Sequence, residues 1–346
     1  MVQVVSDLTT DPVCTVCIAN YNGEDMLRDC IDSVLAQDNA DTIKIIVHDD
    51  ASSDGSVALL CETYPQLQVL RSGTNVGFCI ANNRMVAQTQ SEFVLLLNND
   101  AALLPGALRA LIDAARAHAR PAIFTLPQYD WQSGELVDRG CLLDPFYNPV
   151  PNLNPTRAEV AMAIGACLFL PRALWNELGG LPEWMESIAE DLYLCCAARL
   201  RGHAVTALAE SGYRHRCGAS FSGARDDLNQ FVSTFRRRHL SERNKTATLF
   251  VCTPTPLMWP LLALHVVALS CEGIILTCIK RDLHIWRDIY AAALRWIWTN
   301  RRWLRGLRQQ MQKVTTTRFT TYVGAFRVAP YKLMMLCKRG VPEIRT

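Results

Sequence analysis

Four short polar segments carry residue types that could do chemistry, and three of them directly follow an apolar run. They are Asn20-Tyr21-Asn22 after Ile18-Ala19, the stretch His48-Asp49-Asp50-Ala51-Ser52-Ser53-Asp54-Gly55-Ser56, Asn98-Asn99-Asp100 after Leu96-Leu97, and Glu190-Asp191 far downstream. A carboxylate at a strand end, as expected for Asp49, can accept the imino N–H of a nucleotide base, and an aromatic such as Tyr21 can cover the base. Asp54 also reads as a helix N-cap. A diphosphate needs its charge neutralised, and a hard divalent cation (Mg2+ or Mn2+) held by one or two protein oxygens does that. Asp100 is the carboxylate for such a site and Asn98 offers a neutral oxygen, although Asn and Asp also suit a simple turn after a strand. Glu190-Asp191, flanked by Ile188 and Leu192, could include a general base that removes the proton of an attacking hydroxyl. A solvated helix face is the other reading of that pair. His215 could be a third metal ligand, a phosphate donor, or structural.

These groups need elements to aim them, and the first 126 residues supply a βαβ rhythm. Apolar runs at Val13–Ala19, Ile43–Val47, Leu67–Leu70, Phe93–Leu97 and Ala122–Leu126 read as strands. A helix carries Met26, Leu27, Cys30, Ile31, Val34 and Leu35 on one stripe, a second follows Asp54, and Pro105 opens another. The alternation implies a doubly wound sheet whose ligands bind beyond the carboxyl ends of its strands. Residues 127–160 read as loops with short strands. Beyond them, Ala163–Leu170 and Val205–Leu208 read as strands, with Pro171–Leu178 and Glu183–Arg201 as helices.

As a set the motifs resemble the family 2 glycosyltransferases, most closely the bacterial rhamnosyltransferase-like branch, over about residues 12–250. The likeness rests on Asn20-Tyr21-Asn22, the Asp49–Ser56 segment, Asn75-Val76-Gly77-Phe78 through Asn82-Asn83, and Leu95–Asp100. Gly165-Ala166-Cys167-Leu168, Gly179-Gly180, Glu190-Asp191 and His215-x-x-Gly218-x-Ser220 complete it. The resemblance implies a GT-A fold, an α/β doubly wound mixed sheet. Donor binding would fall to Asn20, Tyr21, Asn22, Asp49, Asn75, Gly77, Asn83 and Asn98, with Asp49 on the base. Asn98-x-Asp100 would take the place of the family's Asp-x-Asp metal motif, with His215 near metal and diphosphate. Asp191 would be the catalytic base and Glu190 its support. The implied activity is inverting transfer of a sugar from a nucleoside-diphosphate sugar, with dTDP-rhamnose favoured and UDP-sugars open, to a hydroxyl of a lipid-linked or cell-surface glycan precursor. An inactive membrane scaffold of the same fold is the alternative. The chain departs from the family at Asn98, at His48-Asp49-Asp50, and at Pro182-Glu183-Trp184-Met185.

Composition places the reaction. Half the 346 residues are hydrophobic and a fifth charged, enough for a large core. The net charge of +2 conceals a balance of +12 over residues 280–346 and −10 over 1–279. Arg236–Lys245 and the Trp-containing segment 280–314 flank the apolar stretch 257–279, which is long enough to span a bilayer. Glu272 near its middle would cost a few kcal/mol on insertion, and basic residues on both sides oppose a single span. A helix or hairpin lying in the interface keeps both flanks on an anionic leaflet. The expected domains are therefore 1–234, catalytic, with a donor half at 12–126 and an acceptor half at 127–234, and 235–346, a helical membrane-associating extension. The expected location is cytoplasmic, peripheral on the inner face of the cell membrane.

The 14 cysteines sit largely in apolar runs and read as reduced thiols, and no secretory signal opens the chain at Met1–Asp11. Cys14-x-x-Cys17 has zinc-ligand spacing but no second pair. There is no Gly-x-Gly-x-x-Gly after the first strand and no Gly-x-x-x-x-Gly-Lys-Ser/Thr, which disfavours a dinucleotide oxidoreductase and excludes a P-loop enzyme. The basic tail lacks nucleic-acid-binding wording, so no nucleic-acid partner is expected. A glycoside hydrolase needs two opposed carboxylates, a geometry left open by sequence.

Overall fold

A computed structural model describes residues 11–38, 42–216, 232–340 and 343–345. The opening segment Met1–Thr10, and Cys217, Gly218 and Ser220 of the last motif, lie outside the described residues.

The chain begins with β1 (Cys14–Asn20), α1 (Glu24–Leu35), β2 (Ile43–Asp49), α2 (Ser56–Thr63), β3 (Gln68–Arg71), α3 (Phe78–Ala87) and β4 (Phe93–Leu97). Next come β5 (Ala101–Leu103), α4 (Ala107–Ala117), β6 (Ile123–Thr125), β7 (Gln128–Asp130), β8 (Leu136–Asp138), β9 (Cys141–Leu143), β10 (Pro149–Pro151) and β11 (Cys167–Pro171). The rest of the body is α5 (Arg172–Leu178), α6 (Glu190–Leu200), β12 (Val205–Ala207) and β13 (Tyr213–His215).

One seven-stranded sheet, in the order β12-β6-β11-β4-β1-β2-β3, organises the molecule. β1 pairs in parallel with β2 and β4, whereas β11 runs antiparallel to both β4 and β6. The sheet is thus doubly wound and mixed, as expected. β4 is buried on both faces, which is why its sequence is a continuous apolar run rather than an alternation. Helix α1 lays Leu27, Cys30, Ile31 and Val34 on one side of the sheet, against Val16, Ile18, Val47 and Leu95. Helix α3 puts Cys79, Met85 and Val86 on the other, with Cys17, Ile46, Val94 and Leu96. A second sheet, β5-β13-β7-β8, continues past the end of β4 and carries His215.

Three sequence expectations change. Helix α3 follows Gly77 where no helix was read; its first turn has no capping side chain, so the usual start signal is missing. The helix expected over Glu183–Arg201 is broken: a 3₁₀ turn at Glu183–Met185 is followed by an irregular loop, and α6 starts only at Glu190. Asp54 is not itself the N-cap of α2, which is Gly55. Its carboxylate instead accepts the N–H of Ser56 at 3.1 Å and of Glu24 at 3.0 Å, tying two helix starts together.

After the body come β14 (Val232–Thr234), α7 (Phe235–Cys252), α8 (Met258–Lys280), a π-helical stretch Ile285–Ala291, α9 (Ala292–Thr299), α10 (Arg301–Lys313), α11 (Phe319–Val323), α12 (Tyr331–Arg339) and β15 (Glu343–Arg345). The expected border after residue 234 falls where Thr234 caps α7, its hydroxyl accepting the Arg237 N–H at 3.2 Å. The basic cluster read as a membrane flank turns largely inward here. Arg243 and Lys245 are buried, and α7 is buried continuously from Glu242 to Cys252 against the body and the later helices.

Candidate active site

The parallel register of β1 and β2 sets Asn20 directly beside Asp49. Asn20 is buried and works as a hub: its Nδ2 donates to Asp49 Oδ1 and to Ser52 Oγ, both at 3.3 Å, and its Oδ1 accepts from Asn99 Nδ2 at 2.8 Å. One side chain therefore ties together the ends of β1, β2 and β4. Asn22, in the left-handed region with φ 49°, accepts the Ser53 N–H at 2.7 Å and fixes the following loop. Asp50 accepts the N–H groups of Val76 and Gly77 at 2.7 and 2.8 Å, which holds the turn into α3. Gly77 has φ 89°, and a Cβ there would also lie 3.3 Å from the Glu186 carbonyl oxygen. The backbone angle calls for glycine, and a side chain would in addition have to push that carbonyl aside slightly.

These strand ends form one side of a cavity of about 590 Å³. Asn20, Tyr21, Asn75, Gly77, Asn98 and His215 line it, and so do Glu190 and Asp191 from the opposite side. Eight of the sequence-derived site residues thus share one cavity. Asn22, Asp49, Asn83 and Asp100 are not in its lining. Asp49 is buried, accepting from Asn20 and, at 3.2 Å, from the Ser52 N–H. Asn83 staples α3 to the loop before α6 through the N–H and C=O of Leu181, both at 2.9 Å. Asp100 sits behind His215, its Oδ1 3.1 Å from His215 Nε2.

Oxygen donors suited to a hard cation gather at the end of β4. Asn98 Oδ1 is buried with no hydrogen-bond partner, and the Asp100 carboxylate is held by His215. An orphaned buried oxygen is uncommon, and this one is free to accept from or ligate a bound group. No cluster of three His, Cys, Asp or Glu side chains is found among the described residues.

At the facing wall, Asp191 Oδ2 accepts the Gly165 N–H at 2.8 Å and Oδ1 its neighbour Leu192 N–H at 2.7 Å. Glu190 Oε2, by contrast, is buried without a partner. Burial, and then the Asp191 charge, push the Glu190 carboxyl up to about 8. Burial raises Asp191 as well, opposed by the two N–H bonds it accepts. Two adjacent acids with raised values in one cavity are the arrangement expected of a group that takes a proton near neutral pH. The sequence reading missed the contribution of α7, whose Arg236, Arg237, Ser241 and Lys245 make the cavity's basic side. The dense run of cations at 236–245 was the available signal, and it was assigned to a membrane.

The glycosyl transferase family 2 model matches residues 15–178. That stretch, just under half of the chain, matches as a family 2 glycosyl transferase domain. The match contains the whole donor rim but ends before Glu190. The N-acetylglucosaminyl-diphospho-decaprenol L-rhamnosyltransferase of Mycobacterium tuberculosis is 27% identical over 182 residues, 44% of this chain and 59% of that protein. The succinoglycan biosynthesis protein ExoO of Rhizobium meliloti is 30% identical over 107 residues, 31% of this chain and 30% of that one. The matched part of the chain thus spans about three-fifths or less of these relatives. Among solved structures, S. aureus TarS 1-349 in complex with UDP-GlcNAc superposes with a TM-score of 0.56 at 19% identity, over 90% of each chain. GalNAc-T7, solved with UDP, GalNAc and Mn2+, gives 0.52 at 14% identity, over 59% of this chain and 43% of that one. These likenesses establish the GT-A fold of the transferase domain.

Proposed function

We propose that the protein transfers a sugar from a nucleoside-diphosphate sugar to a hydroxyl of a lipid-linked or cell-surface glycan precursor, with inversion at the anomeric carbon. The observation that carries this reading is a single cavity in which the strand-end residues Asn20, Tyr21 and Asn98 face Glu190 and Asp191. Asp191 is the base: its two backbone N–H bonds hold it in place, and it takes the proton of the acceptor hydroxyl as that oxygen attacks. Glu190 shares the wall and limits ionisation of the pair through their mutual repulsion. Asn98 and His215 on the cavity wall, with Asp100 behind His215, would hold a Mg2+ or Mn2+, which when bound supplies charge neutralisation for the leaving diphosphate. Asp49 and Asn22 act one step back, by fixing the loop against which the nucleotide rests, and Asn20 links them to the cavity wall. dTDP-rhamnose is the favoured donor, because a matched relative is named as a rhamnosyltransferase; UDP-sugars are the other choice.

The place of action proposed is the cytoplasmic face of the cell membrane. Helix α8 is long and apolar enough to cross a bilayer by length and composition, with 22% of its apolar window buried. Its polar groups turn inward: His265 Nε2 lies 2.8 Å from Thr246 Oγ1, and Glu272 binds Arg238, Tyr290 and Lys332. Met258, His265, Leu269, Gly273 and Leu276 form the buried seam of the helix. Trp259, Leu264, Val267, Ile274, Ile275 and Ile279 are exposed. A helix docked on α7 and the π-helical stretch, with an apolar outer face and cations at Lys280 and Arg281, suits an in-plane seat on an anionic leaflet.

A thermal-shift panel of UDP, dTDP and GDP, each with and without Mn2+ or Mg2+, tests the donor site. Stabilisation by at least one of them is expected, since a ligand of the folded state raises stability by mass action. No shift with any nucleotide contradicts the reading.

A further inference from the structure

The loop between the 3₁₀ turn and α6 is built against its own backbone preferences. Glu186, Ile188 and Ala189 have φ of 65°, 69° and 68°. Non-glycine residues are strained in this region, and a β-branched residue such as Ile188 is among the least suited. Such a run persists only where the surroundings over-determine it. Here the surroundings are two adjacent residues of α7. Asn244, fully buried, directs its Nδ2 at three backbone carbonyls: Met185 at 3.0 Å, Ser187 at 3.0 Å and Ile188 at 2.8 Å. Arg243 donates Nη2 to the carbonyls of Trp184 and Met185, both at 3.1 Å, and Nη1 to Glu186 Oε1 at 3.1 Å. Its Nε donates to Asn244 Oδ1 at 2.9 Å, which fixes the amide's orientation. The carbonyl left over, that of Glu186, accepts the Cys79 N–H of α3 at 3.2 Å. Every carbonyl from Trp184 to Ile188 is therefore held from outside the loop. The next residue, Ala189, is the left-handed N-cap from which α6 starts, and Glu190 and Asp191 are the first two residues of that helix.

We infer that Arg243 and Asn244 are positioning residues: they clamp the strained 185–189 turn so that Glu190 and Asp191 point into the cavity. Neither lines the cavity itself. The clamp joins α7 to the reaction through backbone carbonyls, so its loss should misplace the carboxylates and leave the donor rim intact. The inference rests on the reading of Glu190 and Asp191 as the acceptor-activating pair.

The test compares wild type with N244A and R243K, the second keeping the charge but not the planar fork. Four readouts are taken on the full chain: the turnover number for sugar transfer, its pH profile, the Kd for UDP or dTDP with Mn2+, and hydrogen exchange of the peptide spanning 182–194. A misplacement of about 1 Å costs roughly 100-fold in rate, so N244A should lose about that much in kcat, and R243K less in the same direction. Nucleotide Kd should stay within about threefold, since its groups stand elsewhere. Exchange should rise at least tenfold in 182–194 and stay unchanged in β1 and β4. The acid limb of the pH–rate profile, where rate rises as the base loses its proton, should move to lower pH in N244A, because a loosened pair is better solvated. Exchange at 182–194 equal to wild type in both variants overturns the inference. So does a kcat loss matched by an equal loss of nucleotide affinity, or exchange that rises everywhere. If wild type transfers no sugar, the reading of Glu190 and Asp191 fails, while localised exchange would still establish the clamp.

Discussion

At the donor rim, Asn20, Asp49 and Asn99 stand at or just past the ends of β1, β2 and β4 and bond to one another. At the facing wall, Glu190 and Asp191 stand at the head of α6, and the turn before them is held by α7. The rim inherits its geometry from a parallel sheet register, which is set cooperatively by many backbone bonds. The wall depends on a few side-chain contacts to one strained turn. The two halves of the cavity should therefore fail differently: the rim by losing stability and nucleotide affinity together, the wall by losing rate alone.

Five changes break or sharpen that contrast. The largest effect belongs to Asp191→Asn, which should lower transfer at least ~10³-fold, the span of a lost general base and its placement. Nucleotide binding should persist, as read by a thermal shift with UDP or dTDP. His215→Ala comes next. It removes the cavity-lining side chain that Asp100 holds from behind, and breaking such a ligand–partner pair at a cation site costs about 10–100-fold in affinity or activity. Mn2+-dependent stabilisation by nucleotide should fall accordingly, with less change in its absence.

Glu190→Gln tests the wall's electrostatics. A carboxyl raised to about 8 is favoured in its protonated form by the fold. That contribution is complete below the ordinary Glu range near 4.5 and is lost as pH rises through about 8. The ligand-free wild type should thus lose stability between those values, on the order of a few kcal/mol, and the Gln variant should lack that part of the decline. Urea midpoints at pH 5, 6.5 and 8 measure it. Asn20→Ala acts on the rim: it strips partners from Asp49, Ser52 and Asn99 and should cost about 1–3 kcal/mol in denaturant unfolding, with nucleotide affinity falling too. The smallest effect on fold and cavity is expected for Ile275→Ser on the outer face of α8. It should move the unfolding midpoint little, since Ile275 is half exposed, yet weaken sedimentation with anionic vesicles.

The same division decided what the sequence disclosed. The sheet was legible because β1, β2 and β4 are buried apolar runs that end at Asn and Asp, so the strand ends located the rim residue by residue. Asn98 and Tyr21 stand out in the sequence for that reason, and both line the cavity. Asp49 was located at a strand end too, but that position does not reveal which way a side chain turns, and its carboxylate turned to Asn20 rather than to the cavity. Glu190 and Asp191 were found by wording, while the break before them was not, because no glycine marks the left-handed residues Glu186, Ile188 and Ala189. Arg243 and Asn244 were hidden among the cations of α7, where charge density spoke louder than the burial that sequence does not record.

The most direct measurement is a paired one on Asp191→Asn: nucleoside-diphosphate affinity and sugar transfer, in the same preparation with the same donor panel. The account predicts nucleotide affinity within a few-fold of wild type and transfer lowered at least ~10³-fold. Full transfer by that variant would contradict it.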